Sequence, residues 1–137
     1  MTNKTISLYT DGGARGNPGP AGIGAVLWEG NKMIAQVKQY IGVTTNNIAE
    51  YHAVYAGLEK AKQLKVNVVN CFLDSELVVN QLNGKYKVKK TDLGPWFIKI
   101  WNIRQSFKKV TFKHIRRNEN RGADQLVNQA IDEEFKK

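Results

Sequence analysis

The apolar residues of this chain change period at Thr44-Thr45-Asn46-Asn47. Before that point the spacing is that of strands. Ile6 and Leu8 alternate with Ser7 and Tyr9 over Thr5 to Thr10, and the runs Ile23 to Trp28 and Met33 to Ile41 flank Glu29-Gly30-Asn31-Lys32, a hairpin signal. After it, Ile48, Tyr51, Tyr55, Leu58 and Ala61 fall at helical spacing, and Ala49, Ala53 and Ala56 favour a helix. The β-branched run Val66 to Leu73 reads as a buried strand, and Ser75 caps a short helix ending at Gly84. Pro95 to Phe107 reads as a helix with Trp96, Ile100 and Ile103 on one side. Val110 to Ile115 is a fifth strand, and Ala123, Leu126, Val127, Ala130 and Ile131 mark a last helix. A hairpin meander runs antiparallel, whereas strands joined through helices return parallel. The order βββ-α-β-α-α-β-α therefore predicts an α/β fold with a mixed five-stranded sheet and helices packed on it. Right-handed crossovers prune the remaining topologies.

No internal repeat or Pro/Ser-rich linker interrupts the 137 residues, so residues 1–137 are expected to form a single domain. No window approaches the roughly 18 consecutive apolar residues of a membrane span. The first residues lead straight into a strand-like run, so the expected compartment is the cytoplasm, with no membrane partner. The single cysteine, Cys71, excludes an internal disulfide and a multi-cysteine zinc site.

Charge is more informative. Lys and Arg number 21 against 12 acids, a net of +9. Lys85 to Arg121 alone holds 12 basic and two acidic residues, a net of +10, which leaves −1 for the rest of the chain. An excess confined to one stretch is the pattern of a polyanion-binding face; a basic surface kept for solubility would serve equally well if spread evenly.

The stretch Asp11 to Pro20 reads as a loop because of its glycines and prolines. Those glycines do not fit G-x-G-x-x-G, and a hairpin follows them instead of a phosphate-binding helix. Gly84-Lys85 is followed by Tyr86, so there is no P-loop. Nor is there a G-x-S-x-G elbow or an H-E-x-x-H helix. What remains is a set of carboxylates at the ends of elements. Asp11 ends the first strand, Glu50 lies in the first turn of the first helix, Asp74 ends the fourth strand, and Asp124 opens the last helix. Strand ends and helix starts of an α/β sheet can converge on one rim. Four convergent carboxylates repel one another unless cations neutralise them. Hard oxygen ligands suit Mg²⁺ or Mn²⁺, and a pair of such ions can clamp the attacking and leaving oxygens of phosphoryl transfer. Each acid also has a structural reading. Glu50 would be the third helical residue of a capping box beginning at Asn47, Asp74 and Asp124 would complement helix dipoles, and Asp11 would form an Asx-turn.

Taken together, Thr10-Asp11-Gly12-Gly13, Asn17-Pro18-Gly19, Thr45-Asn46-Asn47 with Glu50, Leu73-Asp74-Ser75, and Asn120 with Ala123-Asp124 and Leu126 resemble ribonuclease H of type 1. The resemblance runs in order from Ile6 to about Ala130. It implies the ribonuclease H-like fold, with strand order 3-2-1-4-5 and helices on both faces. It also implies an endoribonuclease that cuts the RNA strand of an RNA–DNA hybrid and leaves 5′-phosphate and 3′-hydroxyl ends. Asp11, Glu50, Asp74 and Asp124 would then hold two Mg²⁺ ions, with Mn²⁺ as a substitute and Asp11 bridging both. Asn17, Asn46 and Asn47 match positions that touch the nucleic-acid groove, and Thr45 matches one that seats a DNA phosphate. Double-stranded RNA stays open as an added substrate, and a monomer is expected. The alternative reading is a non-catalytic nucleic-acid-binding domain that kept the fold; such a domain would be expected to lose at least one of the acids.

Two departures from the better-known members stand out. No N-terminal hybrid-binding module is recognisable, and the basic protrusion after the second helix is shortened. In its place Lys85, Lys87, Lys89 and Lys90 could track a phosphate backbone. Tyr86 and Trp96 are candidate stacking groups, with core packing the favoured reading of Trp96. The family's auxiliary histidine has two candidate matches. An ungapped match gives His114 and a gapped one gives Arg117. Arg117 is preferred, because His114, inside a predicted strand, reads as a packed, hydrogen-bonded residue. Histidine would exchange a proton, whereas arginine would contact only phosphate or the leaving oxygen.

Overall fold

The computed structural model describes residues 4–88 and 92–136. Three strands come first: β1 (Thr5–Ala14), β2 (Gly19–Glu29) and β3 (Lys32–Thr44). They are followed by α1 (Asn46–Gln63), β4 (Val68–Leu73), α2 (Glu76–Leu82), α3 (Gly94–Arg104), β5 (Lys109–His114) and α4 (Arg121–Phe135), with a 3-10 turn at Arg117–Glu119 leading into α4. The sheet order is β3-β2-β1-β4-β5. The meander is antiparallel and β1-β4-β5 is parallel, as the change of period implies.

The two helical layers follow from strand alternation. Ile6, Leu8, Ala25 and Leu27 point to one face and join Tyr51, Val54 and Leu58 of α1 in the core. The opposite face is built for close approach. A Cβ on Gly24 would stand 2.4 Å from the Ala123 carbonyl oxygen, and one on Gly22 would stand 2.9 Å from that of Val127, so α4 lies directly on β2. Among the described residues, no helix is long and apolar enough to cross a membrane.

One expected loop is not a loop. Asp11 to Ala14 continue β1 in register with β2, Asp11 opposite Gly24 and Gly12 opposite Ile23, and Pro20 already lies in β2. Only four residues, Arg15 to Pro18, separate the strands. Gly12 is a glycine for packing: a Cβ there would lie 2.1 Å from the Ala49 carbonyl oxygen of α1. Asp11 is therefore an interior strand residue, not the end of a strand and not an Asx-turn.

The third helix is shorter than its apolar spacing suggests. It starts one residue before Pro95, whose missing N–H costs no bond in a first turn, and a tighter turn takes over after Arg104. Trp96 lies half-buried and stacks on His52 with ring centroids 4.5 Å apart, while Lys99 Nζ stands 4.6 Å from its ring centre. Its packing is internal. Tyr86, by contrast, is 51% exposed.

Candidate active site

Asp11 projects from β1, paired with Gly24 of β2 and one residue past Thr10, where the pairing with β4 ends. Glu50 comes from α1, whose cap is Thr45: the Thr45 hydroxyl accepts from Ile48 N at 3.3 Å. The capping-box reading of Glu50 fails for that reason. With Thr45 as cap, Glu50 lies beyond the first turn and its carboxylate is not needed to satisfy a helix end. Asp74 follows β4 immediately, one residue before the Ser75 cap of α2. Asp124 sits in the first turn of α4.

These four side chains line one cleft of about 590 Å³, together with Asn46, Asn47 and Arg117. One oxygen from each of Asp11, Glu50 and Asp74 lies within 4.8 Å of the others. Burial, then the charges of Asp74 and Asp124, push the Asp11 carboxyl up to about 7. Burial, then Asp11 and Asp74, hold Glu50 well above the usual carboxylate range, with Arg117 pulling the other way. Glu50 Oε2 is buried with no hydrogen-bond partner. An all-oxygen donor set, mutual repulsion and an unpaired buried oxygen together fit a hard divalent cation such as Mg²⁺.

A pH dependence follows. Asp11 and Glu50 bind protons more tightly folded than unfolded, so their contribution to stability is fully present below the unfolded carboxylate range. It is lost as pH rises, for Asp11 through about 7. The melting temperature of the protein in EDTA should fall between about pH 5 and pH 7.5. Mg²⁺ should restore it at about pH 8 and do little at about pH 5, because protons compete for the same oxygens. Thermal melts across that range, with and without Mg²⁺, check both slopes.

The remaining expected site residues separate into groups. The Ala14 N–H donates to Asn46 Oδ1 at 2.8 Å, and the Asn46 N–H donates to Asn17 Oδ1 at 3.1 Å. Both side-chain carbonyls are thus occupied by backbone, which leaves the Nδ2 amides as donors. Lys85 and Lys87 are exposed along an adjoining groove of about 560 Å³ that shares Asn47 with the carboxylate cleft and is walled by Leu77, Tyr86 and Leu93. Lys89 and Lys90 lie outside the described residues. Arg117 Nη2 stands 3.9 Å from Asp124 Oδ1 at the cleft mouth.

His114 is not where the sequence suggested. It is exposed, does not line the cleft, and its side chain finds no hydrogen-bond partner among the described residues. It ends an edge strand, where the alternation that buries Val110 and Phe112 has run past the helices. The expectation of a packed, hydrogen-bonded histidine fails. Asn120, for which its motif implies no role, is 1% exposed and donates to Asp74. Its signal in the sequence was only a polar residue four positions before an acid.

A family model described as reverse transcriptase-like matches residues 9–130. A bifunctional protein of Mycobacterium tuberculosis is 40% identical over 93% of this chain, but the match covers 35% of that relative, so the chain spans about a third of its length. Ribonuclease H of Chlorobaculum parvum is 33% identical, with 96% of this chain and 98% of the relative covered. Among solved structures, LC11-RNase H1 in complex with an RNA/DNA hybrid superposes with a TM-score of 0.91 at 46% identity, covering 95% of this chain and 99% of that one. The shared sheet order, the end-to-end match to a ribonuclease H and the agreement in three dimensions lead to one assignment: this chain belongs to the ribonuclease H type 1 family.

Proposed function

We propose that this chain hydrolyses the RNA strand of RNA–DNA hybrids, leaving 5′-phosphate and 3′-hydroxyl ends. The observation that carries this reading is the complete set of four carboxylates in one cleft, with Asp11 at its hub and Glu50 Oε2 unpaired. Its near relative LC11-RNase H1, solved with an RNA/DNA hybrid, supports the choice of substrate. Asp11, Glu50, Asp74 and Asp124 would hold two divalent cations, Mg²⁺ with Mn²⁺ as substitute. When bound, those ions supply an activated water and neutralise charge on the leaving oxygen. Arg117 supplies a permanent positive charge beside Asp124, placed to meet a phosphate or the departing oxygen. The free amides of Asn17 and Asn46, with Asn47 beside them, offer donors to 2′-hydroxyls and phosphates in the wide minor groove. Thr45, whose oxygen already caps α1, keeps its hydroxyl proton for a phosphate of the DNA strand. The protein acts as a monomer in the cytoplasm in this reading.

The test is a gel with labelled RNA presented in a hybrid, in duplex RNA and as a single strand, each with Mg²⁺, Mn²⁺ or EDTA. Cleavage of the hybrid alone, dependent on the cation, is the expected result; duplex RNA as a further substrate would appear in its own lane. Hybrid binding without cleavage under any cation would favour a non-catalytic domain.

Two further outcomes are expected. Arg117→Ala should lower turnover roughly ten- to a hundredfold, the usual loss for one assisting group. His114→Ala should leave turnover and melting temperature near wild type. Turnover lost at His114 and spared at Arg117 would reverse the assignment. Neutralising Lys85, Lys87, Lys89 and Lys90 together should weaken hybrid binding and flatten its dependence on salt, by a little under one unit of log–log slope for each phosphate they no longer neutralise. Single-turnover cleavage at saturating hybrid should change little, since these lysines position the substrate. An unaltered slope would make them a solubilising face.

A further inference from the structure

We propose that Asn120 is a positioning residue that fixes the Asp74 carboxylate against β1, so that the oxygens of Asp11, Asp74 and Asp124 are spaced for cations before any arrive. The inference rests on the reading of these carboxylates as metal ligands.

Asn120 stands at the N-cap position of α4 and does not act as a cap. An asparagine there ordinarily turns its side-chain oxygen to the N–H groups of the first turn. Here no side-chain cap bond forms, and Oδ1 is buried without a partner. Nδ2 instead donates twice, to the Thr10 carbonyl oxygen at 2.8 Å and to Asp74 Oδ2 at 3.1 Å. Both partners can only accept, which fixes which end of the amide points where. The backbone of the same residue is committed as well. Its carbonyl receives the Asp124 N–H at 3.1 Å, the first bond of α4, and its N–H donates to Arg117 O.

One buried side chain therefore joins three carriers of the acid set: β1 one residue before Asp11, the residue that follows β4, and the turn that presents Asp124. A residue selected only to start a helix would keep its oxygen for the helix. This one gives up the cap and leaves a buried acceptor unpaired, an arrangement that makes sense only if the donors matter more. The bond to Asp74 occupies one carboxylate oxygen and leaves the other for a cation. It also resists the tendency of Asp74 to swing away from the negative charge of Asp11. Outer-sphere hydrogen bonds of this kind orient ligands and tune affinity by roughly ten- to a hundredfold.

Asn120→Ser separates this role from a purely structural one, because serine is a good helix cap but is too short to hold both Thr10 O and Asp74. Mg²⁺ and Mn²⁺ are titrated by calorimetry into the wild-type chain and the variant without nucleic acid, alongside thermal melts in EDTA and hybrid cleavage against Mg²⁺ concentration. The expected result is a melting temperature near wild type, a dissociation constant for the cation raised about tenfold or more, and a matching rise in the Mg²⁺ needed for cleavage, with KM for the hybrid unchanged. Asn120→Gln keeps the amide but displaces it by a methylene. It is measured in the same way, should weaken cation binding in the same direction, and decides the question if the serine variant does not fold. Wild-type cation affinity in the folded variants overturns the proposal and leaves the metal reading intact. Failure of the wild-type chain to bind either cation overturns both.

Discussion

Asp11→Asn is expected to reduce hybrid cleavage on the order of a thousandfold or more while the fold survives, because loss of one member of a catalytic unit removes most of what the unit does. Asp11 is the hub of the cluster: burial, then the charges of Asp74 and Asp124, raise its proton affinity, and a hydrogen bond with Glu50 works against them. The amide keeps the shape of the carboxylate and removes its charge, so a cation held by these acids would lose one of its charged ligands. The same change relieves repulsion in the absence of metal. The variant should accordingly melt higher than wild type in EDTA at about pH 8, where Asp11 is ionised, and the difference should shrink toward about pH 5, where it is not. Mg²⁺ should then raise its melting temperature less than it raises that of wild type. Undiminished cleavage of the hybrid by purified Asp11→Asn protein would sink the assignment of Asp11 as a metal ligand. Loss of activity with an unfolded chain would not support it, which is why the melt belongs to the experiment.

Gly12→Ala should damage the fold severely, although it adds one methyl group. The new Cβ would lie 2.1 Å from the Ala49 carbonyl oxygen, 2.2 Å from its carbon and 2.6 Å from Glu50 N. All three atoms are backbone, so no rotamer change relieves the clash and α1 must move as a body. A cost of about 3 kcal/mol or more is expected, at the upper end for overpacking, and a drop in melting temperature of about 10 °C or more. Activity should fall further than stability, since the helix that moves carries Glu50. The neighbouring substitution is the control. A Cβ on Gly13 would meet only Val127 Cγ1 at 3.7 Å, an ordinary van der Waals separation, so Gly13→Ala should fold and melt close to wild type. Circular dichroism melts of the two variants decide the matter: equal stability would show that α1 does not depend on that glycine for its seat.

The two glycines show what residue spacing can and cannot carry. Hydrophobic period is a local property, so the order of strands and helices, the antiparallel meander and the later parallel strands could all be read from runs such as Ile6–Leu8 and Ile48–Ala61. The order of the four acids and the basic excess between Lys85 and Arg121 were equally legible, being properties of the chain itself. Glycine is ambiguous to local reading, because the absence of a Cβ serves a turn and a close approach alike. That Asp11-Gly12-Gly13 is strand and not loop was decided by its pairing with β2, and that position 12 is glycine by the Ala49 carbonyl brought against it in the fold. Glu50 looked like part of a cap until Thr45 proved to be the cap. His114 looked packed until the edge position of its strand left it in solvent. The bond from Asn120 to Thr10 joins residues 110 apart in the chain, a separation at which periodicity carries no information. Sequence determined which elements form and which acids the chain carries, since propensity and spacing act over a few residues. Tertiary structure decided which acids meet, how far burial and mutual repulsion raise their protonation, and which neighbour holds each in place, since desolvation and charge act between groups that only the folded chain brings together.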